Sequence, residues 1–132
     1  MEFVVLAQKE KDKLIAHAIE QQPSESCAML FGKKVGDDWY VKEVFLTQNM
    51  DNSQINFTIS PEELLKGYQL AVKMHLELVG IFHSHPNSGT TPSDTDKKFM
   101  QNNPVPWIIF SGVTNDLTAY LLDSDVIEIP IK

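Results

Sequence analysis

Three scarcities narrow the field first. A single cysteine, Cys27, among 132 residues leaves no internal disulfide framework and no cysteine-rich zinc ribbon. Basic residues are few, 11 Lys and Arg against 18 Asp and Glu, for a net charge of -7. That charge, with no basic run or basic–aromatic cluster to neutralise phosphates, argues against nucleic-acid binding, and no nucleic-acid partner is expected. No apolar run approaches the roughly 20 residues of a membrane span, so no membrane partner is expected. The start, Met1-Glu2-Phe3-Val4-Val5-Leu6, lacks the basic residues and small-residue cleavage site of a signal peptide, and the cytoplasm is the expected compartment. Repeats, low-complexity segments and linkers are also missing, and 42% hydrophobic residues suit one globular core. One domain over residues 1–132 is expected.

The order of patterned segments predicts an α/β fold, a mixed central β-sheet flanked by about three α-helices. Phe3 to Leu6 reads as a short strand. Glu10 to Gln22 places Leu14, Ile15, Ala18 and Ile19 at helical spacing before Pro23. Cys27 to Phe31 is a buried strand, Trp39 to Thr47 its returning partner, and Ile55 to Ile59 a further short strand. Ser60-Pro61-Glu62-Glu63 is a helix start with a capping box, and the helix is expected to turn Leu64, Tyr68, Ala71, Val72, His75 and Leu76 inward. Leu78 to Phe82 and Trp107 to Phe110 read as central strands, with a helix from Pro92-Ser93 to about Asn102 between them. Leu117 to Leu122 and Val126 to Ile131 complete the sheet. The last has an exposed edge that permits dimerisation without requiring it, so the oligomeric state stays open.

Chemistry concentrates at the exit of the Leu78–Phe82 strand. Residues i and i+2 of a strand share a face, so His83 and His85 aim two imidazoles at one point. A catalytic zinc usually has three protein ligands and an open position. Asp96 is the natural third, with Asp94 as a possible substitute, and one Zn²⁺ per chain is expected. Such a site needs a general base, for which Glu25, at the mouth of the buried Cys27–Phe31 strand, is the candidate. Ser93 could donate its hydroxyl to the oxyanion that forms when water attacks a carbonyl. Plainer roles compete: a lone His-x-His is often structural, Ser93-x-x-Asp96 also reads as a helix capping box, and Glu25 alone could be a loop charge. His17 and His75 read as structural histidines, and Cys27 as packing.

Taken together, His83-Ser84-His85-Pro86, six residues, then Ser93-x-x-Asp96, resembles the signature of the JAMM (MPN+) metalloproteases. Chance would produce the five fixed positions His83, His85, Pro86, Ser93 and Asp96 on the order of once in 10⁵ chains of this length. Upstream, Pro23-Ser24-Glu25-Ser26-Cys27-Ala28-Met29-Leu30-Phe31-Gly32 is similar to the family's P-x-E-x-C-G-L-L-x-G segment, with Ala28 and Met29 replacing Gly and Leu. The resemblance spans essentially the whole chain and implies a cytidine-deaminase-like JAMM/MPN fold. It implies His83, His85 and Asp96 as zinc ligands, Glu25 as general acid/base and Ser93 as the group steadying the tetrahedral intermediate. It further implies hydrolysis of the peptide or isopeptide bond after the Gly-Gly tail of a ubiquitin-like or sulfur-carrier protein. The tail would lie along Gln48 to Ile59, with Gln48, Ile55, Asn56 and Phe57 as contacts, added as a strand to a sheet edge. Alternatives are a non-catalytic MPN-type scaffold subunit and a cell-wall or phage-tail peptidase with the same domain. A zinc-dependent nucleobase deaminase, whose ligands include P-C-x-x-C, is excluded by the single cysteine.

Overall fold

Period-two alternation decides which helix covers which side of the sheet. The computed structural model describes residues 2–132. Its strands are β1 (Val4–Val5), β2 (Cys27–Val35), β3 (Asp38–Thr47), β4 (Glu77–His85), β5 (Trp107–Ser111), β6 (Leu117–Asp123) and β7 (Asp125–Ile129). They form one mixed sheet in the order β1-β3-β2-β4-β5-β6-β7. The helices are α1 (Gln8–Gln21), α2 (Pro61–Lys73) and α3 (Asp94–Asn102). Ala28 and Leu30 of β2, Phe82 of β4 and Ile108 and Phe110 of β5 pack with Leu14 and Ala18 of α1. Met29 and Phe31 meet Ala71 of α2, while Ile81, Trp107 and Ile109 meet Met100 of α3. The central strands are therefore apolar on both faces, as their sequences require. β4 lies between β2, antiparallel to it, and β5, parallel to it through the α3 crossover. His83 and His85 share the face of Ile81, beneath α2 and α3.

Four sequence expectations need correction. Ile55 to Ile59 forms no strand. Its alternation is real, but Asn49 takes up the local backbone groups: its Oδ1 accepts from Asp51 N–H and Thr58 N–H, and its Nδ2 donates to Asn56 O. In α2, Leu64, Tyr68 and Val72 are exposed, and His75 lies past the helix end at φ 56°, also exposed. The helix sits on the sheet through its small residues Gly67 and Ala71, with Gly67 directly over the Met29 side chain. Ser60 caps α2 by accepting from Glu63 N–H, but the Glu63 carboxylate turns to Gln48 N–H (2.9 Å) and the box stays half made. The chain end is also less open than its sequence implies. Val4 N–H donates to Pro130 O (2.9 Å) and Lys132 N–H to Val4 O (2.7 Å), so the segment after β7 is tied back to β1 and the sheet curls round.

Gly32 marks a register shift between β2 and β3, where a Cβ would sit 1.8 Å from the Tyr40 carbonyl oxygen. Because the obstacle is backbone, Gly32→Ala is expected to destabilise the fold by about 2–3 kcal/mol, read as a lower urea midpoint. No helix among the described residues is long and apolar enough to cross a membrane.

Candidate metal centre

β4 delivers His83 and His85, and Pro86 then turns the chain out of the sheet. The following loop is strapped back along its length. Ser111 Oγ donates to Ser88 O (2.7 Å), Thr90 Oγ1 lies 2.8 Å from the Tyr120 hydroxyl, and Asn87 Nδ2 donates to Gln54 Oε1 (3.0 Å). This return brings the first turn of α3, with Asp96, over the histidines. His83 Nε2 and His85 Nε2 are 3.0 Å apart, and Asp96 Oδ2 lies 3.2 Å from the first and 3.1 Å from the second. The three side chains are buried and form a group able to hold a metal ion.

Donor chemistry fits a cation. His85 Nδ1 faces Gly89 O at 2.8 Å, and a carbonyl only accepts, so Nδ1 carries the proton and Nε2 offers a bare lone pair. Two ring nitrogens and one carboxylate oxygen converge on one point. Their spacing lies just inside the roughly 3.3–3.4 Å separating donors that each sit about 2.0–2.1 Å from a tetrahedral ion. Phe57 stacks on His83 at 4.9 Å between ring centroids and Trp107 meets it edge-on at 5.7 Å, which fixes the ring.

Asp96 carries two duties on one oxygen. Oδ2 accepts from Ser93 N–H (2.8 Å) while Ser93 Oγ accepts from Asp96 N–H (3.0 Å), a complete capping box at the start of α3. The capping and ligand readings of Asp96 are thus compatible. Burial raises its pKa, but the imidazoles of His83 and His85 outweigh that and hold it well below the usual carboxylate range. For His83 burial wins and the pKa falls. For His85 burial opposes, yet Asp96 and Gly89 O raise it. Asp94 is exposed on the same turn and stands outside the group.

Glu25 enters through sheet register. Cys27 of β2 pairs with His83, and the ladder runs on as Ser26 N–H donates to Ser84 Oγ (2.9 Å) and Ser84 N–H to Ser26 O (3.1 Å). Two residues before Cys27, Glu25 comes close enough to His85 and Asp96 for both to act on its carboxyl. Its backbone is clamped, N–H to Ser53 O (2.7 Å) and carbonyl to Asn49 Nδ2 (3.1 Å). Glu25 is 3% exposed and its Oε1 has no hydrogen-bond partner. Burial pushes its pKa from the ordinary 4.5 to about 8; His85 nearby lowers it and Asp96 raises it. A raised carboxyl pKa means the metal-free folded chain binds this proton more tightly than the unfolded chain does. The Glu25 penalty is therefore absent below about pH 4.5 and grows up to about pH 8. In chelator, Glu25→Gln is expected to be more stable than the parent by a margin that widens over this range, checked by urea midpoints at both ends.

Among the tail-contact candidates, only Phe57 touches the centre. Ile55 is 74% exposed, Asn56 is exposed with its carbonyl on Asn49, and Gln48 is exposed beside Glu63. His17 is structural in setting, its Nε2 lying 3.1 Å from Cys27 O and 3.0 Å from Thr47 O. Cys27 is buried against the Thr47 hydroxyl, with its thiol pushed up to about 11 by burial. Asn49 and Trp107 belong to the surroundings of the centre and carried no spacing signal of their own.

Comparison with known proteins adds to this geometry. The chain is 37% identical to a desampylase of Pyrococcus furiosus over 97 residues, 74% of this chain and 66% of that protein. It is 30% identical over 113 residues to the tail tip assembly protein K of Escherichia phage N15, 85% of this chain but 42% of that one. A probable TtuB-protein conjugate cleaving protease of Thermus thermophilus matches at 30% over 108 residues, 81% and 68% of the two chains. The chain thus spans slightly under two thirds of the desampylase and less than half of the phage protein. A protein of Desulfitobacterium hafniense solved in solution superposes with a TM-score of 0.87 at 29% identity, covering 100% of this chain and 92% of that one. A family model described as prokaryotic homologs of the JAB domain matches residues 7–123, and with it the chain belongs to that family.

Proposed function

We propose that the protein is a zinc-dependent hydrolase that cuts the peptide or isopeptide bond after the Gly-Gly tail of a ubiquitin-like or sulfur-carrier protein. The observation that carries the reading is the triangle of His83, His85 and Asp96 donor atoms with the buried Glu25 carboxyl, its Oε1 without a partner, close by. Similarity to a desampylase and to a conjugate cleaving protease supports the substrate class. His83, His85 and Asp96 would hold one zinc ion, which when bound supplies Lewis acidity, lowering the pKa of water toward about 7 and polarising a carbonyl. Glu25 takes a proton from the attacking water as the new C–O bond forms. It returns that proton to the departing amine as the C–N bond breaks, so no other acid is needed. Burial keeps Glu25 able to hold a proton near neutral pH, as both halves of that role require. The Ser93 Oγ lone pair is committed to Asp96 N–H, which leaves the hydroxyl proton free for the oxyanion.

Ser93→Ala is expected to lower kcat about 10²-fold and cost about 1 kcal/mol as a lost helix cap, with metal content unchanged. Steady-state kinetics beside elemental analysis checks it. The proposal itself is tested by incubating the zinc-loaded protein with Gly-Gly fusions and lysine-linked conjugates of ubiquitin-like carriers and weighing the products. Fragments ending in Gly-Gly are expected; intact substrates across the panel would overturn the reading. Similarity to the phage tail tip protein favours a second reading, a peptidase of phage-tail or cell-wall type. Its support is weaker, from a lower identity and a smaller share of the relative. Cleavage of peptidoglycan stem peptides but no carrier would favour it.

A further inference from the structure

A single buried amide joins the Glu25 main chain to the loop that carries Phe57. Asn49, in the loop after β3, is 6% exposed, and its side chain makes four hydrogen bonds. Nδ2 donates to Glu25 O (3.1 Å) and Asn56 O (2.9 Å), while Oδ1 accepts from Asp51 N–H and Thr58 N–H, each at 3.0 Å. Two amide hydrogens and two lone pairs are thus all in use. Resting on the hydrolase reading, we infer that Asn49 is a positioning residue for the acid/base, aiming the Glu25 carboxyl at the metal centre through the Glu25 main chain.

The first argument is what the carboxyl lacks. Glu25 Oε1 is buried without a partner, so no hydrogen bond at that atom aims the group and the backbone has to. The second is that one short stretch, residues 49–53, holds that backbone on both sides. Glu25 N–H donates to Ser53 O (2.7 Å), its carbonyl accepts from Asn49, and Ser24 Oγ donates to Asn52 Oδ1 (3.0 Å). The third is where this stretch takes its own reference. Asn56 O and Thr58 N–H, which belong to the two peptide groups flanking Phe57, are both bonded to Asn49, and the Phe57 ring stacks on His83. A line of contacts thus runs from His83 through Phe57 and Asn49 to Glu25. It registers the proton carrier against a metal ligand, and not against the sheet alone. The last is chemical. Asp has the same outline but would set an oxygen against the two carbonyls, and Gln is one methylene too long for the same four partners. Misplacement by about 1 Å costs about 10²-fold, so releasing this hold should reach the chemistry.

The test is a double-mutant cycle with Glu25, read on ubiquitin-like carriers joined through Gly-Gly to an aminocoumarin reporter. Asn49→Ala is expected to lower kcat at least about 30-fold, with KM within about threefold and zinc content unchanged. In the Glu25→Gln background the same change should cost less than about threefold, because no carboxyl is left to misplace. A loss through folding alone would be equal in the two backgrounds. If Asn49→Ala does not fold, the cycle is run with Asn49→Asp, which keeps the outline and the two acceptor bonds. A second arm needs no turnover. Glu25 N–H is bonded to Ser53 O and not to Asn49, so its exchange with solvent, followed by NMR, reads the hold of the whole stretch. In the Asn49 variant that exchange should be at least about tenfold faster, with Ile81 N–H, bonded to Pro106 O within the fold, at the parent rate. Equal effects in both backgrounds, or unchanged exchange at Glu25, overturn the role and leave the hydrolase reading intact. Faster exchange at Glu25 without cleavage of any fusion by the parent supports the hold on Glu25 and overturns the hydrolysis.

Discussion

Glu25→Gln is expected to retain metal and lose turnover by about 10²–10⁴-fold, the usual contribution of a positioned acid/base. The substitution isolates the proton-carrying role for three reasons. The amide keeps the shape of the carboxyl but cannot accept the proton of the attacking water. Position is held by the main chain, through Ser53 O and Asn49 Nδ2, and not by the side chain being changed. The carboxylate lies outside the three-residue ligand group, so affinity for the ion has no direct reason to fall. In the metal-free protein Glu25 holds its proton up to about pH 8. A divalent cation nearby favours the charged form, so the acid limb of kcat/KM is expected below that value in the loaded enzyme. Activity should rise with pH through this limb, and the limb should vanish from the residual rate of the variant. The measurement is a pH profile of kcat/KM for both proteins with metal content determined on each. A variant that keeps more than about a tenth of the parent rate would reassign the base.

Asp96→Asn is expected to act earlier, on the ion itself, weakening its retention about 10²-fold or more. That is beyond the 10–100-fold cost of disturbing residues that merely orient ligands. Asp96 contributes the only negative charge among the three donors, and its Oδ2 faces both imidazole Nε2 atoms at 3.1–3.2 Å. An amide that turned its NH₂ inward would present hydrogens where a cation belongs. Activity should fall with metal content and recover in part when excess zinc is added, a rescue that damage to α3 alone would not show. Loss of the capping box cannot explain such a result, because Ser93→Ala removes one of its bonds and is expected to leave metal content alone. Asp94→Asn, exposed on the same turn, should change neither quantity. Titration with a competing chelator measures all three variants on one scale, and equal retention in the parent and Asp96→Asn would move the third ligand elsewhere.

Much of this centre is legible in the sequence. Spacing alone put His83 and His85 on one strand face, and the loop length from Asn87 to Pro92 allowed Asp96 to return to them. The surroundings were not legible, because they depend on approaches between segments far apart in sequence. Nothing local says that Phe57 stacks on His83, that Trp107 meets the same ring edge-on, or that Asn49 ties a loop to the Glu25 carbonyl. The misreadings share a cause. In α2 the large apolar residues suggested the buried face, whereas contact with β2 is made where Gly67 and Ala71 let the helix come close. Ile55 to Ile59 has the alternation of a strand, but pairing needs a neighbour, and here Asn49 takes Asn56 O and Thr58 N–H.

The central claim is that one ion at His83, His85 and Asp96 and one proton carrier at Glu25 form a single hydrolytic centre. The most direct measurement is a zinc titration of metal-free protein, following bound metal and cleavage of a Gly-Gly carrier fusion in the same sample. Cleavage rising in step with metal and saturating at about one zinc per chain, with Glu25→Gln binding equally but staying silent, is the expected result. Cleavage that proceeds without metal, or a chain that binds no zinc, would contradict the claim.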